Sequence, residues 1–111
     1  MGRSSQRKGR AAELELCRLL NDHGIPAAVG EPLNYGTEPD ISGVAGVHVE
    51  CKRAERVQIG EWIAQAARDA ERFKDGAPAV FFRRSREPWH VCMRLSDWIT
   101  LYGEARKERR T

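Results

Sequence analysis

The chain has no run of about 18 apolar residues, so no stretch is expected to cross a bilayer as a helix. Its opening residues, MGRSSQRKGR, lack the apolar stretch of a secretory leader, and a cytoplasmic location without membrane contact is the expectation. Cysteine is scarce: Cys17, Cys51 and Cys92 are far apart, form no CxxC pair and have no histidine at zinc-ligand spacing. Reduced, partly buried thiols are therefore expected, and neither a disulfide framework nor a structural zinc site. Internal repeats and low-complexity linkers are also missing, which argues against a solenoid or a chain of modules. Residues 1–10 contain no acid at all.

What is present suffices for one core. The 111 residues are 41% hydrophobic and 32% charged, a composition that folds, and a chain of this length buries roughly two thirds of its unfolded surface. Lys and Arg number 19 against 16 Asp and Glu, a net charge of +3. That excess sits at the ends. Arg3, Arg7, Lys8 and Arg10 give +4; Arg106, Lys107, Arg109 and Arg110 against Glu104 and Glu108 give +2, which leaves −3 for the body. The expected organisation is a basic arm at 1–9, a single domain at 10–103 and a basic tail at 104–111. Basic ends on a compact body suit a nucleic-acid backbone, though they equally suit solvated termini.

Hydrophobic periodicity predicts a helix over 10–23, with Ala12, Leu16, Leu19 and Leu20 on one face, Glu15, Arg18 and Asp22 on the other, and Gly24 as the stop. Glu13 falls at the edge of the apolar arc, where a carboxylate is costly unless compensated. A short strand over 25–29 and an irregular loop, GEPLNYGTE, follow. Residues 40–42 and 47–52 read as a hairpin around the small-residue turn at 43–46. In its second strand the period of two sets Val47, Val49 and Cys51 against His48, Glu50 and Lys52. A second helix over 59–74 carries Trp62, Ile63, Ala66, Ala67, Ala70 and Phe73 at helical spacing; Ala66 and Ala67 are small enough to let it lie close to a sheet. Strands over 79–83 and 89–94 and a short helix over 97–102, capped by Ser96, complete the order α-β-β-β-α-β-β-α. The expected class is mixed α/β (α+β): one central mixed sheet flanked by helices.

The chemistry-bearing set is Asp40, Glu50 and Lys52, spaced PD, nine residues, then ECK. Two carboxylates meeting at a sheet rim repel unless a hard dication such as Mg²⁺ joins them, and Lys52 shares the face of Glu50 and can offset charge on a phosphate. A strand with Glu and Lys on its exposed face is also commonplace as a weak surface pair. His48 shares that face and reads as a satisfied edge-strand histidine; Glu15 reads as solvent-exposed; His23 reads as a helix-end contact. Trp62, Trp89 and Trp98 read as core, and Leu14, off the main stripe, as a candidate for a dimer interface.

KGRAAELEL (8–16), PDI (39–41), VECK (49–52) and Gln65, in that order, resemble the archaeal-type Holliday junction resolvases of the PD-(D/E)xK, restriction-endonuclease-like, nuclease superfamily. The resemblance implies that Glu13, Asp40 and Glu50 hold a metal, joined by the backbone carbonyl of Cys51. It makes Lys52 the catalytic lysine and Gln65 a support for the site. It further implies Mg²⁺, with Mn²⁺ able to substitute, a homodimer, and DNA cut at four-way junctions to leave a 5′-phosphate. Lys8, Arg10, Arg53 and Arg56 are the nearest candidate phosphate contacts, and Asn34 or Thr37 stand where the family often has a loop serine. Glu31 and Glu38 add negative charge to that loop. The alternatives are a nuclease of the same fold acting on flaps, nicks or duplex DNA, and a DNA-binding protein without activity.

Overall fold

A computed structural model describes the backbone of residues 2–31 and 36–110, and the side chains of 9–31 and 36–109. The element order is α1 (Gly2–Asp22), β1 (Ala28–Val29), β2 (Ile41–Ser42), β3 (Val47–Arg53), α2 (Ile59–Phe73), β4 (Ala77–Arg83), β5 (His90–Met93) and α3 (Leu95–Arg110), in the expected sequence of helices and strands. The central sheet runs β3-β4-β5. β3 pairs with β4 in parallel, with α2 as the crossover, and β4 pairs with β5 antiparallel. A parallel pair needs such a connection because the chain must return to the end it left.

Each face of the sheet is covered. On one, Leu16 and Cys17 of α1 pack with Ala27, Ile41 and Val49, and Val47, Cys51 and Phe81 lie against them. On the other, Trp62 and Ala66 of α2 enclose Val80, with Ile63 and Phe82 alongside. Ala66 is 0% exposed, so the expected close seat of a small-residue helix on a sheet is what forms. Lys74, in the left-handed region at φ 52°, ends α2 two residues before Gly76.

The sequence reading of a hairpin between 40–42 and 47–52 is corrected. β2 pairs antiparallel with β1, Val29 opposite Ile41, while β3 pairs with β4. The cause is a close approach at Gly43: with φ 90°, it lies so near Pro26 that a Cβ would stand 2.0 Å from the Pro26 carbonyl oxygen. That contact seats β2 against the chain leaving α1. The turn at 43–46 then carries β3 into a different sheet.

Other boundaries move too. The stretch expected as a free arm continues α1 back to Gly2, and α3 runs from Leu95 through the expected tail, so Ser96 is inside the helix instead of capping it. β1 is confined to two residues, and β4 begins two residues early, at Ala77. Leu19, placed on the apolar face of α1, is exposed. Trp62 is core as expected, whereas Trp98 on α3 is 48% exposed and stacks on Tyr102.

Candidate active site

The alternation of β3 holds in three dimensions. Val47, Val49 and Cys51 point to the α1 layer, and His48, Glu50 and Lys52 point toward α2. β3 is the outer strand of its sheet, so its polar residues lie beside an open margin. Glu50 is nevertheless only 7% exposed. Lys52 Nζ donates to Gln65 Oε1 at 2.9 Å and stands 3.7 Å from Glu50 Oε1. Gln65, on the second turn of α2, therefore fixes the lysine and not the carboxylates. One turn further along α2, Asp69 reaches the same face, and its carboxylate, that of Glu50 and the His48 ring offer ligand atoms within 4.8 Å of one another.

Across the margin lie Glu13 and Asp40. β1 positions the second of these, because Gly30 N–H donates to the Asp40 carbonyl at 2.8 Å and prolongs the β1–β2 ladder. Glu13, on α1, is 8% exposed. Burial, the Asp40 charge and a hydrogen bond to Asp40 push its pKa from 4.5 up to about 7, with Arg10 opposing and Glu50 adding to the rise. Desolvation at the cleft wall and then the Glu50 charge raise Asp40 as well, while Lys52 opposes. Glu13 and Asp40, expected to meet Glu50, do so: they hydrogen-bond to each other and both feel the Glu50 charge, and burial, more than this like-charge repulsion, raises the two.

Asp40, His48, Glu50 and Asp69 open into one cleft of about 190 Å³, bounded by Gly36, Arg72 and Phe73. Arg72 donates to the Gly36 carbonyl, which ties α2 to the loop before Asp40. A smaller recess is lined by Arg10, Glu13, Glu31, Glu38 and Asp40. Lys52 and Gln65 face a further groove with Glu61 and Arg68.

The remaining sequence candidates are dispersed. Arg10 donates to the Gly30 carbonyl at 3.1 Å beside the acidic recess. Arg53 bonds Ser85 Oγ at 3.0 Å and pairs with Glu55, Arg56 is exposed, and Thr37 is on the exposed loop. Asn34 and the Lys8 side chain lie outside the described residues. Burial pushes the Cys51 thiol up, followed by the Glu13 charge, and all three cysteines are free, as expected. Glu15 is exposed as expected but not idle: it accepts from Arg83 at 2.8 Å and from Trp89 Nε1 at 3.0 Å.

The sequence reading gave two residues of the cleft too small a part. His48 is the edge-strand histidine expected, bonded to Asp75, but it is buried, 2% exposed. Asp69 drew no notice, although its place four residues after Gln65 put it on the same helix face.

A family model described as "Phage putative PDDEXK endonuclease" matches residues 37–111. The chain belongs to this family. As a nuclease of the PD-(D/E)xK type, it carries Pro39, Asp40, Glu50, Lys52 and Gln65 inside the matched segment, and Glu13 on α1 outside it. No curated protein and no solved structure matches significantly. PD-(D/E)xK nucleases generally depend on a divalent metal, and the donor set fits one: oxygen ligands that repel each other at close range are what a hard dication relieves. Among the described residues, no helix is long and apolar enough to cross a membrane.

Proposed function

We propose that the protein is an Mg²⁺-dependent DNA endonuclease, with Mn²⁺ able to replace Mg²⁺, that hydrolyses phosphodiesters at four-way junctions. The observation that carries the reading is the meeting of Glu13, Asp40 and Glu50 beside a lysine held by its own glutamine. Glu13, Asp40 and Glu50 would hold the cation, with the Cys51 carbonyl as a further ligand. Bound there, it would neutralise phosphate charge and lower the pKa of a water. The Lys52 ammonium, 3.7 Å from Glu50, donates to a non-bridging phosphate oxygen or to the attacking water. Gln65 holds that ammonium in place, so the lysine spends less rotamer entropy when substrate arrives. Arg10, Arg53 and Arg56, with Lys8, Asn34 and Thr37, supply backbone contacts that orient the DNA without reading its bases.

Junction preference rests on the helix motif around Glu13 and on a homodimer that presents two sites to opposing strands. The match to a phage endonuclease family, not to the resolvases, favours a second reading: the same chemistry on flaps, nicks or duplex. A labelled four-way junction, a flap and a linear duplex, each offered with and without Mg²⁺, separate the two. Symmetric junction cutting is expected, with loss of at least about a hundredfold in Asp40→Asn and Glu13→Gln and near wild-type rates in Glu15→Gln. Duplex cut as fast as junction would replace the resolvase reading with the second, and binding without any cutting would end the enzyme reading.

A further inference from the structure

His48 has a geometry that catalysis by the carboxylates and lysine does not require. Its Nδ1 bonds the Asp75 carboxylate at 2.9 and 3.0 Å, and its ring lies parallel to that of Phe73, 6.4 Å away. A carboxylate acceptor puts the proton on Nδ1 and leaves the Nε2 lone pair free in the neutral ring. Nε2 is fully buried and has no hydrogen-bond partner; the nearest acid, Glu50 Oε2, stands at 3.7 Å. A buried ring nitrogen without a partner costs free energy, which a cation bound to its lone pair, or a proton shared with Glu50, would offset. What it faces is Glu50 and Asp69, both within ligand-bridging range.

We propose that His48 Nε2, Glu50 and Asp69 form a cation position of their own, which takes a first-row transition dication such as Mn²⁺ and shares Glu50 with the Asp40 and Glu13 carboxylates. Imidazole beside two carboxylates suits such ions, whereas Mg²⁺ prefers oxygen ligands and retained waters. Asp75 then acts as the outer carboxylate that orients a ligating histidine, and Phe73 covers the ring. His48 and Asp75 are 27 residues apart, so the arrangement is assembled by the fold and is not a local turn. The competing arrangement is a histidinium clamped between Asp75 and Glu50, which would need no metal.

The position's part in cleavage rests on the nuclease reading; its binding does not. The test is Mn²⁺ titration of the full chain followed by electron paramagnetic resonance, with histidine-labelled ¹⁵N protein for the nitrogen coupling. Wild type is expected to bind two Mn²⁺ per chain, one showing a histidine nitrogen coupling and displaced poorly by Mg²⁺. His48→Asn and Asp69→Asn should bind one Mn²⁺ without that coupling, and Asp75→Asn should weaken the nitrogen-coupled ion by about tenfold or more. Circular dichroism checks each fold, and Asp69→Asn, on a half-buried helix position, serves where His48→Asn fails to fold. Absence of nitrogen coupling in wild type overturns the proposal, as does unchanged binding in Asp69→Asn, even if DNA is cut normally. Nitrogen-coupled Mn²⁺ without cleavage of any DNA upholds this site and overturns the nuclease reading instead.

Discussion

Glu13 is where sequence and structure meet most directly at the scale of one residue. Its position on the edge of an apolar helix face marks it as costly, and the cost takes a measurable form. In the unfolded chain Glu13 ionises near 4.5, whereas in the folded chain it holds its proton up to about 7. Between those values the native state binds more protons than the unfolded one, so stability contributed by this group is present below the unfolded value and is lost as pH rises through the folded one. In EDTA, melting temperature should therefore fall from about pH 5 to pH 8 more steeply in wild type than in Glu13→Gln, and Mg²⁺ should restore most of the loss at the upper end. Identical slopes in the two proteins would contradict this account. Lys52 was readable from the strand face it shares with Glu50, and Gln65 only through the family resemblance, which did not pair it with Lys52. His48 was not, because its burial is made by Phe73 and Asp75, which its own strand pattern does not mention.

Among the elements, β3 and α2 were legible for a shared reason: each has a long, regular apolar pattern that packs into a core on one side of the three-stranded sheet. The pattern in α2 gives both its ends and its buried face. Ala66 against Val80 makes this specific. Ala66→Leu should overpack the helix and sheet and cost about 1–3 kcal/mol, while Ala64→Leu, on the exposed face, should stay within about 0.5 kcal/mol. Urea unfolding of both would measure it, and equal midpoints would show that α2 does not sit close to β4. β1 and β2 were misread because two residues carry almost no periodicity. Their pairing is decided by Pro26 against Gly43, a contact between segments far apart in sequence, and no hairpin rule contains it.

Over the whole molecule, the unbalanced feature is α3. Leu95, Trp98, Ile99, Leu101 and Tyr102 are exposed on its first half, with Val91 of β5 beside them, and the charged residues from Glu104 fill its second half. Single exposed apolar residues are ordinary, but a group of this size on one helix is the kind of surface a partner covers. It supports the proposed homodimer better than Leu14 does, which on α1 has only Leu19 as another exposed large apolar residue among the described residues. Sedimentation should find a dimer in wild type and a monomer in Leu95→Asp with Ile99→Asp, both folded. A wild-type monomer at micromolar concentration would remove the dimer from the proposal. The sequence concealed this surface because aromatic and aliphatic residues look alike whether they enter a core or stand outside one.

The start of the parallel pair links these scales. Gly76, at φ 140°, lies against Gly46, and Ala77 N–H donates to the Gly46 carbonyl at 2.9 Å, which sets Val47 opposite Ala77. The next residue on one strand is His48, and the residue before Gly76 on the other is Asp75. One pinch between two glycines thus decides both how the strands align and which nitrogen of a histidine meets Asp75. A slip of one residue would turn Glu50 and Lys52 toward α1 and part His48 from Asp75. Such a chain could keep most of its secondary structure and still be chemically silent, so metal binding and cleavage would report the alignment of two strands more sharply than circular dichroism could.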